Sequence, residues 1–154
     1  MSNRFALRAV LPALFLPLAA FANPPEACSL VKLDELNQIA GGGVTGTQVR
    51  KTGNPSECSF VNSHKGSVLV VSLREVQHAA ENELQYERET LEKIYRQKVK
   101  WVNTVGDSAF WLAANHQLGF RKGKVLVSVR FERPANQNEI DTAQVARLVE
   151  SQIQ

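Results

Sequence analysis

Residues 122–132 read K-G-K-V-L-V-S-V-R-F-E. Val125, Val127, Val129 and Phe131 fall on one side of an extended chain; Leu126, Ser128, Arg130 and Glu132 fall on the other. That period of two is the pattern of a half-buried β-strand; a helix would scatter the same valines around its circumference. The same opening occurs at Lys65-Gly66-Ser67-Val68-Leu69-Val70, so K-G-x-V-L-V appears twice, each time followed by a helical pattern. The match reads as two hairpin-plus-helix halves building one antiparallel sheet, an internal duplication. Two unrelated hairpins also converge on such a string, because turn chemistry and β-propensity both favour it.

The rest of the chain fits that frame. Leu33, Leu36, Ile39 and Ala40 recur at helical spacing over 30–40, with Asp34 and Glu35 in the first turn, where the helix dipole favours acids, and Gly41-Gly42-Gly43 as the stop. Strands are expected at 44–51, 57–63 and 67–76, with a turn by composition at 52–56 and a tip at His64-Lys65-Gly66. The third strand is apolar on both sides at first, which places it centrally in the sheet. The longest helix is expected over 79–98, with Ala80, Leu84, Leu91, Ile94 and Tyr95 as its buried stripe, interrupted at Glu87 and Arg88. Gly106-Asp107 is a turn. Strands follow at 109–113, 117–121 and 124–132, with Lys122-Gly123 as the second tip. A linker at 134–138 leads to a last helix, capped from Asn136 or Asn138, with Ile140, Ala143, Val145, Ala146, Leu148, Val149 and Ile153 as its apolar face. The expected fold is α+β: a single antiparallel sheet of about six strands with helices packed on one face, in the order α-βββ-α-βββ-α. An extra short strand is allowed near Trp101.

Residues 1–22 have the layout of a cleaved secretory signal peptide. Arg4 and Arg8 precede an apolar, Pro-broken run, and Ala20-Phe21-Ala22 is a small-x-small cleavage site. The run is too short to span a bilayer comfortably, so no transmembrane segment is expected after leader removal. Residues 23–154 then form one domain in the periplasm or outside the cell. Formal charge is +3 over the whole chain, but two of the 18 basic residues leave with the leader and no acid does. The remaining 16 basic and 15 acidic side chains nearly balance. That argues against a general binder of nucleic acid or anionic membranes. An exported chain with two cysteines is expected to join them, Cys28 to Cys58; two separate buried thiols is the other arrangement.

Several constellations invite a chemical reading. Lys65, Arg121, Lys122 and Lys124 gather at the two hairpin tips, and with His64 they would form one basic rim if the halves pack side by side. That rim would hold an anionic partner; solvated turn residues is the plainer reading. Trp101 joins it as an interface candidate, whereas Trp111 is expected in the core. Gly106-Asp107-Ser108 is similar to the G-D-S block of one esterase class, with Ser108 as nucleophile. That class needs a downstream Asp-x-x-His to supply the base, and none follows here; a Gly-Asp turn entering a strand accounts for the block. His64, His78 and His116 are not at metal-ligand spacing, so no metal or other cofactor is expected. The Gly-rich stretch 41–46 follows a helix, whereas a phosphate loop follows a strand and opens a helix.

Most of residues 23–154 resembles small exported bacterial domains of unknown function, of the kind found among actinobacterial cell-envelope lipoproteins with a PsbP-like α+β fold. The matching parts are Cys28-Ser29-Leu30-Val31 before a helix ending at Gly41, Glu57-Cys58-Ser59-Phe60, Val105-Gly106-Asp107-Ser108-Ala109-Phe110-Trp111, and residues 118–129 with their Lys-Gly turn. The resemblance implies a paired disulfide and an envelope location, and it transfers no catalytic residue. The expected role is a non-catalytic binding or interaction domain for an envelope protein or a small ligand. An inhibitor of a lysozyme-like envelope hydrolase and a small serine hydrolase using Ser108 are the alternatives.

Overall fold

The structure, a computed structural model, describes residues 25–132 and 139–153. The leader and the linker with its capping asparagines lie outside the described residues. In chain order the elements are a 3-10 turn (Ala27–Ser29), α1 (Leu33–Ala40), β1 (Gly46–Lys51), β2 (Ser56–Val61), β3 (Ser67–Glu75), α2 (Ala80–Tyr95), β4 (Lys100–Val102), β5 (Ser108–Leu112), β6 (Gln117–Lys122), β7 (Val125–Phe131) and α3 (Glu139–Ser151). All seven strands join one sheet in the order β1-β2-β3-β7-β6-β5-β4, and every neighbouring pair is antiparallel. The fold is therefore α+β on one antiparallel sheet, and the short strand at Trp101 is β4.

β3 and β7 form the centre, paired from Leu69↔Phe131 to Glu75↔Val125. Strand parity then assigns every side chain to a face. Cys58, Phe60, Leu69, Val71, Leu73, Ala109, Trp111, Leu118, Phe120, Val127, Val129 and Phe131 share one face with residues of α1 and α3. Phe110 and Leu126 point the other way and pack with Val76, just after β3, and with Ala80 and Leu84 at the start of α2. The helices thus lie on both faces rather than one. The reason is visible in β5 and β6: Ala109 to Leu112 and Gln117 to Phe120 are buried at every position. A strand buried on both sides needs a layer over each. Gly119 belongs to that arrangement, because a Cβ there would stand 2.5 Å from the Phe110 ring.

The same parity bears on the repeated string. Leu69 lies beneath α1 and α3, whereas Leu126, its counterpart in the second copy, lies beneath α2. Two halves related by a two-fold axis along the sheet normal would keep matched residues on one face. The matched leucines therefore do not superpose about such an axis.

Cys28 and Cys58 are bonded, with Cα atoms 5.0 Å apart, tying the N-terminal turn to β2. Glu26 reinforces the tie by accepting hydrogen bonds from Ser56 Oγ (2.9 Å) and Gly53 N–H (3.2 Å). Closing a loop of 30 residues removes about 3–4 kcal/mol of unfolded-chain entropy. Such a bond suits an oxidising, extracytoplasmic environment. Among the described residues no helix is long and apolar enough to cross a membrane.

Three helix assignments need correction. Ile94 and Tyr95 are exposed rather than part of the α2 stripe, because the helix runs off the sheet at its C-terminal end. Ile140 is exposed at the start of α3. The first helix begins at Leu33, with the bonded Cys28 held in the separate 3-10 turn.

Candidate functional site

The expected basic rim is not assembled. Because β3 and β7 run antiparallel, the 62–66 tip lies beyond the Leu69–Phe131 end of their pairing and the 123–124 tip lies beyond the Glu75–Val125 end. Seven paired positions separate them, about 20 Å of strand. The residues at the second tip are also largely engaged. Arg121 bonds Asp107 (3.1 Å) and the Gly123 carbonyl (3.2 Å), and Lys122 pairs with Glu150 of α3 (3.0 Å). Lys124 is exposed in the turn itself. At the first tip, Asn62 Oδ1 accepts from the His64 and Gly66 N–H groups, leaving the His64 and Lys65 side chains in solvent.

Trp101 sits on β4 with about half its surface exposed, and the Arg88 guanidinium stacks on its ring at 5.1 Å. Trp111 is core, tilted against His116.

Gly106-Asp107-Ser108 forms a clamp on the second hairpin. Gly106 has a φ of +63° and approaches so closely that a Cβ would lie 2.4 Å from the Arg121 carbonyl. Asp107 accepts from Gly123 N–H at 2.8 Å while its own N–H donates to Arg121. Ser108 Oγ is buried without a hydrogen-bond partner among the described residues. His116 stands beyond the opposite end of β5, more than about 13 Å along the strand.

A concavity of about 420 Å³ lies along the C-terminal half of α2, lined by Arg88, Glu89, Glu92, Lys93 and Arg96 among others, and two further cavities lie on the face beneath α2. α2 packs over β6 and part of β7; on the same side of the sheet Ser59 and Val70 are buried, whereas Ser72, Arg74 and Ser128 keep part of their surface exposed. The two cavities there adjoin. One, of about 140 Å³, is lined by Pro55, Ser72, Arg74, Glu87, Leu126 and Ser128 among others. The next, of about 270 Å³ and more apolar, is lined by Arg74, Glu83, Tyr86, Glu87, Thr90 and Leu91. Arg74 and Glu87 belong to both walls. Ser72 and Ser128 face each other across the central strand pair, so their hydroxyls share the groove floor.

The electrostatics follow from the packing. Glu87 is on the flank of α2 turned toward the sheet, where burial pushes its carboxyl above the ordinary value; Arg74 acts in the opposite direction. Gln117 Nε2 donates to Glu87 at a long 3.4 Å and is itself steadied by Asn115 (2.7 Å). Arg74 Nη1 donates to Glu83 at 3.1 Å. Toward the β1 edge, Arg50 lies between Glu57 and Glu132, 3.7 Å from each.

These groups can bind a small polar molecule: a guanidinium, a carboxyl held away from bulk water and two hydroxyls converge beside an apolar recess. Sequence reasoning passed over them. The signal was the Glu87-Arg88 break in the α2 stripe, together with Ser72-x-Arg74 and Ser128-x-Arg130 at matching parity. Neither a protein-family model nor a curated protein matches the chain.

Proposed function

We propose that the protein is a non-catalytic binding domain of the bacterial envelope that holds a small ligand in the groove between α2 and the central strands β3 and β7. One observation carries the reading: Arg74 and Glu87, opposite in charge, form the shared wall of two adjoining cavities. Together those cavities reach the lower end of the about 300–1,000 Å³ usual for small-molecule sites. The envelope location is supported by the Cys28–Cys58 bond and by the leader-like residues 1–22. The basic-rim reading has lost its geometric basis, since the two tips stand apart.

Native mass spectrometry of the protein taken gently from a periplasmic extract tests the groove. The expected species is residues 23–154, less two hydrogens for the disulfide, carrying a small added mass. A Ser128→Trp variant fills the smaller cavity from its floor and should lose that mass while staying folded, because a strand surface accepts tryptophan well. An adduct of equal occupancy on both proteins would place the ligand elsewhere, and a bare protein in both cases would remove the groove as a resident site.

A further inference from the structure

The groove's charges are arranged for a ligand that carries both signs. Arg74 has one guanidinium nitrogen on Glu83, and its planar fork offers further donors to a carboxylate. Glu87, which shares the wall with Arg74, accepts one long hydrogen bond from Gln117 among the described residues and remains an acceptor for an ammonium. Between them the Ser72 and Ser128 hydroxyls can donate or accept. The smaller cavity, at about 140 Å³, is compact and polar, and it opens past the Arg74–Glu87 wall into the larger recess beside Tyr86, Thr90 and Leu91. A purely anionic ligand would compete with Glu83 for Arg74 and meet Glu87 on the same wall. A purely cationic one would meet Arg74. Either mismatch is costly in a partly desolvated groove.

Resting on the groove reading above, we propose that the ligand is a small zwitterion of the α-amino acid type. Its carboxylate lies on Arg74 and its ammonium on Glu87. Its side chain enters the recess beside Tyr86 and Leu91, which favours a medium-sized apolar or aromatic group over a charged one.

Isothermal titration of the full exported chain with leucine and phenylalanine tests this, each run beside its decarboxylated amine (isoamylamine, phenethylamine) and its deaminated acid (4-methylpentanoate, 3-phenylpropionate). At least one amino acid is expected to bind, with both of its single-charge analogues at least about tenfold weaker, the scale of one charge-assisted contact. Arg74→Gln should bring the amino acid down to the affinity of its amine, and Glu87→Gln should bring it down to the affinity of its acid. An amine that binds as tightly as its amino acid overturns the proposal in favour of an organic-cation site. Absence of heat from both amino acids overturns it as well. If the Ser128→Trp variant loses a native adduct while the amino acids fail to bind, the groove stands and only the zwitterion falls.

Discussion

On the face beneath α1 and α3, Phe60, Leu69, Val71, Leu118, Val129 and Phe131 are all essentially inaccessible to solvent. On the face beneath α2, the residues one step along the same strands are Ser59, Val70, Ser72, Gly119, Ser128 and Arg130. The backbone, pairing and register are shared, so the difference lies entirely in side chains and in what covers them. The first face is roofed by two helices and stapled by Cys28–Cys58. The second carries one helix over β6 and its neighbours; Ser59 and Val70 are still buried there, but Ser72, Ser128 and Arg130 are only half-buried, and paired charges lie toward the β1 edge. Stability is concentrated where the cover is complete, and room for a ligand is left where it stops.

The contrast can be broken most directly by truncation. Phe131→Ala empties a fully buried site against α3's face and is expected to cost about 3–5 kcal/mol in urea unfolding. Ser72→Ala, opposite Ser128 on the other face, is expected to change stability by less than about 0.5 kcal/mol. Comparable losses at the two positions would mean that the second face also holds the fold together.

The disulfide comes next. Replacing Cys28 and Cys58 together with serine should lower stability by about 3–4 kcal/mol if unfolded-chain entropy dominates. It should leave the groove untouched, since neither residue lines it. Reversible chemical denaturation with and without reductant measures the first effect. An unchanged titration of whichever probe occupies the groove measures the second.

Much of this architecture is legible in the chain. Alternation over 125–131 and an apolar run on both sides at the start of 67–75 identify the two central strands, and the Gly-containing tips identify the hairpins. The missed helix placement was also encoded, in the apolar run from Ala109 to Leu112, since four successive buried residues imply cover on both sides. A single-face reading of the α2 stripe hid it. The basic rim failed for a different reason. Lys65 and Lys122 share a motif, but antiparallel pairing of the strands that follow sends the two motifs to opposite ends. The groove was the least legible part, because Arg74 and Glu87 meet only once α2 has chosen its face. No spacing between positions 74 and 87 announces that choice.

The finest test of the contrast is the pH dependence of Glu87→Gln. Burial raises the Glu87 pKa and Arg74 works against it. The folded protein therefore holds this proton more tightly than the unfolded chain does. Such a group contributes stability that is fully present below its unfolded pKa, near the ordinary 4.5, and is lost as pH rises through the higher folded value. Above that folded value the wild type carries a charged carboxylate in a poorly solvated place, and a glutamine of the same shape does not. The variant should accordingly melt at or slightly above the wild type in that range, with its advantage shrinking and then reversing as the pH falls toward 4.5. The slope decides the matter more than either melting temperature. If Arg74 instead outweighed burial, the wild type would lose stability relative to the variant on acidification, and Glu87 would be a partner for Arg74 rather than a carboxyl left available to a ligand.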